Sequence, residues 1–83
     1  MKNSKLRGEV VMTFLMGGIS KKTGNPYLQV SNGRKELFIN IPKQLNIDEN
    51  TFSQYIEDDE IYLEVEVVAG SEDVRLVSII ETD

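Results

Sequence analysis

Asn32-Gly33 stands between two short runs of alternating apolar and polar residues, and few dipeptides constrain a chain more. Between such runs the pair signals a two-residue type I′ turn, which needs φ > 0 at both central positions. That turn predicts a hairpin in which Ser31 faces Arg34, Gln29 faces Glu36, Leu28 faces Leu37 and Tyr27 faces Phe38. One face then carries Leu28, Val30, Leu37, Ile39 and Ile41, and the other Tyr27, Gln29, Ser31, Arg34, Glu36, Phe38 and Asn40. A one-residue slip would put Leu28 and Val30 on the side of Arg34 and Glu36, a mixture that is costly to bury.

On either side of this hairpin the apolar pattern predicts further elements. Residues 5–16 read as a long first strand with apolar residues of both parities after Val10, which implies cover on both sides or a bulge. Gly8 is the expected site of a bend. Residues 17–25 read as a loop punctuated by Gly17-Gly18, Gly24 and Asn25-Pro26, and residues 26–42 as the hairpin. Residues 43–60 read as the one helical segment. Asp48 is its cap, Ile47 and Phe52 form a staple, and Phe52, Tyr55 and Ile56 share one face. Residues 60–68 alternate, with Ile61, Leu63, Val65 and Val67 inward. A turn at 70–73, a last strand at 74–80 and a short acidic tail at 81–83 complete the chain.

Eighty-three residues predict a single domain over residues 1–83. Its 40% hydrophobic and 28% charged residues are those of a globular chain, neither disordered nor membrane-spanning. The longest apolar run, 10–16, is too short to cross a bilayer, and MKNSK at the start has no apolar signal region behind it. With no cysteine as well, the expectation is a soluble cytoplasmic protein. An all-β chain with one small helix, in the order β-β-β-α-β-β, is the layout of the five-stranded OB-fold barrel. Barrel closure would also protect the edges of a small sheet.

The segment Ser20-Lys21-Lys22-Thr23-Gly24-Asn25-Pro26-Tyr27 resembles the first hairpin loop of small OB-fold single-stranded-DNA-binding proteins of phages and mobile elements. In that group a Ser/Lys/Thr-Gly loop leads into a strand that begins Pro-Tyr. The resemblance implies single-strand binding by aromatics on the second and third strands and by basic loops, carried here by Lys21, Lys22, Tyr27, Arg34 and Phe38. The chain departs from the group in having few aromatics, no tryptophan and an acidic second half.

The residues themselves point the same way. Tyr27 and Phe38 offer flat surfaces on which bases stack, and Arg7, Lys21, Lys22, Arg34 and Lys35 are cations for phosphates. The net charge of −5 hides a division: residues 1–46 hold eight cations and two carboxylates, and residues 47–83 hold one cation and twelve carboxylates. Such a split allows a positive face on an acidic domain. Gln29, Ser31 and Asn40 read as ordinary exposed polar residues, and Tyr62 as surface or interface. The cluster Glu57-Asp58-Asp59-Glu60 lacks the ligand spacing and glycine of a calcium loop and reads as a solvated helix end. With no histidine, no cysteine and no phosphate-loop glycine pattern, neither catalysis nor a cofactor or metal is expected.

The sequence therefore predicts a non-catalytic domain for single-stranded DNA, with RNA as a second ligand class. One small domain makes few contacts, so a homodimer or cooperative binding along the strand is expected. The alternative is a protein-interaction domain of a phage or mobile element, using the hairpin face or the acidic half to engage a replication or recombination protein.

Overall fold

The computed structural model describes residues 5–68, 70 and 73–81. Five antiparallel strands form one sheet in the order β3-β2-β1-β4-β5. They are β1 Lys5–Ile19, β2 Pro26–Ser31, β3 Glu36–Phe38, β4 Glu60–Val68 and β5 Val74–Ile80. No α-helix occurs among the described residues, and a single 3-10 turn at Lys43–Leu45 takes its place. Of the expected 70–73 turn and acidic tail, Ser71, Glu72, Thr82 and Asp83 lie outside the described residues.

β1 serves two neighbours in succession. Lys5 to Thr13 pair with β4, and Thr13 to Ile19 pair with β2. The ladder passes Gly8 without a register shift, so no bulge marks that position. The register shifts instead between Phe14 and Met16. This bulge reverses the facing of β1: Phe14 is opposite buried Val30, whereas beyond the bulge Gly17 is opposite buried Leu28. Gly17 and Gly18 extend the strand rather than opening a loop. Gly17 passes directly beneath Phe52, where an added Cβ would lie 2.9 Å from the ring, so glycine permits this close approach.

The hairpin keeps its predicted faces but not its predicted register. Ser31 is opposite Glu36, Val30 opposite Leu37 and Gln29 opposite Phe38. Four residues, 32–35, therefore make the loop, two more than Asn32-Gly33 alone suggested. Gly33 has φ 92°, but Asn32 does not join it in the positive-φ region that a type I′ turn demands. Asn32 folds its side chain inward instead. Its Oδ1 accepts the Arg34 N–H at 2.9 Å and the Lys35 N–H at 3.1 Å, and its own N–H donates to the Lys35 carbonyl at 3.2 Å. Because each residue moves against its partner by two positions, every side chain keeps its face. Leu28, Val30 and Ile39 are buried, while Phe38 is exposed.

Residues 43–59 fold as successive tight turns rather than the predicted helix. Asp48 does cap, accepting the Asn50 and Thr51 N–H groups at 2.9 and 3.1 Å. Beyond this cap the turns close i→i+3 bonds, from Thr51 to Asp48, Ser53 to Asn50, Tyr55 to Phe52 and Asp59 to Ile56. Asn50, Thr51 and Ser53 are weak helix formers whose polar groups compete for the backbone, and Ser53 Oγ donates to the Asn50 carbonyl at 2.9 Å. Left-handed residues Asn46 (φ 53°) and Asp58 (φ 78°) bound the segment. Phe52 is buried and Tyr55 packs on the core, but Ile56 points outward, which corrects the shared face expected of the three. The Asp58-Asp59 pair extends the sheet: Phe14 N–H donates to the Asp59 carbonyl and Asp58 N–H to the Phe14 carbonyl.

The core is Phe14, Leu28, Val30, Ile39, Phe52, Ile61, Leu63, Val65 and Leu76, drawn from every strand except β3 and from the segments on either side of the 3-10 turn. Tyr55 stacks on Phe14 with ring centroids 5.4 Å apart. Burial, then the charge of Glu81, raises the Tyr55 phenol above its ordinary 10.0, against the opposing effect of a Gln54 hydrogen bond. A raised folded-state value favours the neutral phenol, so this contribution to stability is complete below the unfolded value and is lost as pH rises through the folded one. Between about pH 9 and about pH 11 the urea midpoint should fall further in the wild type than in Tyr55→Phe. Parallel curves for the two proteins would contradict this.

Beyond β3 the chain crosses to the far end of the sheet order. Asn40 and Arg75 form an isolated parallel bridge, with Asn40 N–H donating to the Val74 carbonyl and Leu76 N–H to the Asn40 carbonyl, both at 2.8 Å. One bridge, not a ladder, thus connects the β3 side of the sheet to β5, and the five strands form one open sheet rather than the closed barrel expected from the sequence.

Candidate nucleic-acid interface

The β1–β2 connection is the six-residue loop 20–25, tied by its own hydroxyls. Ser20 Oγ accepts the Lys22 and Thr23 N–H groups at 3.3 and 3.4 Å, and Thr23 Oγ1 accepts the Asn25 N–H at 3.2 Å. Gly24 (φ 74°) turns the chain back, and Ser20 N–H donates to the Asn25 carbonyl. The hydroxyls therefore hold the loop, and Lys21 and Lys22 stay exposed at its tip.

This loop delivers Pro26 and Tyr27 to the start of β2. Tyr27 is opposite Gly18, and a Cβ on Gly18 would lie 3.6 Å from the phenol oxygen and 3.7 Å from Cε1. The phenol thus lies across Gly18 and is half-buried. Phe38 is 62% exposed on the same face. The two rings are not directly opposite, as a two-residue turn would have them, because Phe38 is level with Gln29. They are diagonal neighbours, a spacing of roughly 7–8 Å between backbones that aromatic side chains can span.

Both rings line one open hollow of about 340 Å³, with Asn25, Pro26, Ile39, Asn40, Ile41 and Lys43. A second hollow of about 320 Å³ shares Asn40 and Ile41 with it and adds Pro42, Gln44 and Arg75. The chain has fourteen carboxylates, yet among the described residues none lines either hollow; the charged residues lining them there are Lys43 and Arg75. Glu36 is the acid on the ring face of the hairpin, and it accepts a hydrogen bond from Gln29 Nε2 at 3.2 Å.

The expected site residues divide into three groups. Tyr27 and Phe38 come together, with the Lys21-Lys22 loop tip at the Tyr27 end. Arg34 and Lys35 lie in the 32–35 loop at the other end of the hairpin; Arg34 is in that loop rather than opposite Ser31. Arg7 is not part of the assembly. It lies near the opposite end of β1 and pairs with Glu66 at 3.2 Å. Tyr62 is across the sheet, opposite Val11 and Ile80.

Sequence reasoning misses Lys43 and Arg75 and ranks Asn40 as ordinary surface. Lys43 falls inside the expected helix, and Arg75 is one cation in an acidic half. The Asn40–Arg75 bridge brings them to neighbouring hollows, and no local pattern announces a contact across thirty-five residues. Among the described residues no group of three acidic or other ligating side chains is placed to hold a metal. No helix among them is long and apolar enough to cross a membrane. Comparison with protein-family models, curated proteins and solved structures finds no match.

Proposed function

We propose that this chain is a non-catalytic OB-type domain that binds single-stranded DNA along the two neighbouring hollows that meet at Asn40 and Ile41. The observation that carries the proposal is the lining: two aromatics, three amide side chains and two cations, with no carboxylate among the described residues, in a chain of net charge −5. Strand order β3-β2-β1-β4-β5, with a parallel contact linking the β3 side to β5, supports the barrel-type reading of the fold.

Bases stack on Phe38 and Tyr27, which bind any base because every base has a π-face. The backbone follows the cations Lys21, Lys22, Lys43 and Arg75, with Arg34 and Lys35 beyond the hairpin end. Asn25, Asn40 and Gln44 offer donors and acceptors to sugars and base edges.

The test is fluorescence anisotropy of labelled oligo-dT at several salt concentrations. If ~4 cations neutralise phosphates, log affinity falls against log salt with a slope of about −3. Duplex DNA of the same length should compete poorly, because its bases are not free to stack. No binding at micromolar protein, or an affinity indifferent to salt, would overturn the proposal.

A further inference from the structure

The first half of β1 has one paired edge and one open edge. Lys5 to Thr13 pair with β4, but pairing with β2 begins only at Thr13. Residues 5–12 therefore have no ladder partner on the β2 side among the described residues. The Phe14 N–H and C=O both bond on the β4 side, to Asp59 and Asp58. Alternation along an antiparallel strand then sends the backbone groups of Arg7, Glu9 and Val11 outward from the free edge. Leu6 and Val11 on this stretch are 68% and 51% exposed. A long open edge with apolar residues is a template for another strand.

We propose that this edge pairs antiparallel with the same edge of a second copy, about a two-fold axis through Gly8. The side chains select the copy and the register. Centred on Gly8, Leu6 faces Val10 of the second copy, and Arg7 faces Glu9 of the second copy, each pair occurring twice. Moving the centre to Arg7 or to Glu9 sets like charges face to face on the axis, which is unfavourable. Within one chain Glu9 has Glu64 opposite it, and Glu64 already accepts a hydrogen bond from Ser78 Oγ at 3.3 Å. An incoming Arg7 gives Glu9 an opposite charge. The Arg7 side chain is 57% exposed while holding Glu66, so the guanidinium is free to reach both carboxylates.

Gly8 suits the axis. Nothing lies within 4 Å of a Cβ placed there, and its backbone is extended. On the axis it forms a pair without hydrogen bonds, with Cα atoms ~4.5 Å apart, the closest approach in an antiparallel ladder. Gly8 lies ten positions along β1 from Gly18 under Tyr27, about 33 Å of extended chain. Pairing here leaves the hollows open, so the dimer does not depend on what they bind.

The experiment combines sedimentation with cysteine cross-linking in a chain that has no cysteine of its own. The wild type should sediment as a dimer with a concentration-dependent monomer fraction. Glu9→Arg should raise the dimer dissociation constant at least about tenfold, because it sets Arg against Arg across the axis. The same change faces Glu64 within the chain, so far-UV circular dichroism should be unchanged. Gly8→Cys should form a covalent dimer on mild oxidation, since ~4.5 Å lies within disulfide reach. Val11→Cys, about 20 Å from its symmetry mate in this register, should not. A monomer at every concentration, a dimer untouched by Glu9→Arg, or equal cross-linking by both cysteine variants would overturn the proposal.

Discussion

Phe38→Ala should weaken oligo-dT binding by about 5- to 150-fold, the loss of one stacked base at ~1–3 kcal/mol. Tyr27→Ala should act in the same direction, and the double variant should bind weakest. The two rings share a hollow, so their effects need not add. Folding should be nearly untouched by the Phe38 change. The ring is 62% exposed, and a cross-strand contact on an open face contributes only ~0.2–1 kcal/mol. Binding and stability therefore separate at this residue. A ring present only to brace the hairpin would show the reverse: a small loss of stability and unchanged affinity.

Phe52→Ala should have the largest effect on folding, a loss of ~3–5 kcal/mol in urea unfolding. Phe52 is 2% exposed, its ring is 6.2 Å from that of Phe14, and it covers Gly17 where no side chain would fit. A domain of this size has about 4–12 kcal/mol in total, so the variant should lose from about a quarter to all of its stability. Ile56→Ala is the companion measurement. Ile56 is 70% exposed and should change stability by no more than ~0.5 kcal/mol. On a helix that buries Phe52, Tyr55 and Ile56 together, Ile56→Ala would cost ~2 kcal/mol or more. The pair thus distinguishes the turn-built segment from a helix.

These residues mark where sequence and structure part. Alternation was legible wherever one sheet face is buried: Ile61, Leu63 and Val65 of β4, and Leu28, Val30 and Ile39 around the hairpin, lie where their parity placed them. Parity fixes a face, however, and not a register. The Asn32 side chain captured two N–H groups and lengthened the loop by two residues, a change that parity cannot detect. The i, i+3, i+4 spacing of Phe52, Tyr55 and Ile56 was a true signal for two of the three, because consecutive i→i+3 turns also bring residues 52 and 55 to one side. Local hydroxyl and amide groups then decided against a helix. Gly17 and Gly18 looked like loop punctuation, but their use is tertiary: one lies beneath Phe52 and the other beneath Tyr27.

The candidate site was half legible for the same reason. Tyr27, Phe38 and the Lys21-Lys22 tip belong to adjacent strands and a short loop, so the local pattern found them. Lys43 and Arg75 enter through the bridge at Asn40. They also alter the electrostatic argument. The positive character of the hollows comes from one residue of each half of the chain and from the lack of carboxylates among the described residues there, rather than from the basic half alone.

The most direct measurement is amide chemical-shift mapping of the isotope-labelled chain during titration with oligo-dT. Perturbations should concentrate at Tyr27, Phe38, Asn40, Lys43 and Arg75, while Arg7 and Gly8 at the far end of β1 stay unmoved. Shifts centred on β4 or on the first half of β1, or no shifts at saturating oligo-dT, would contradict the account.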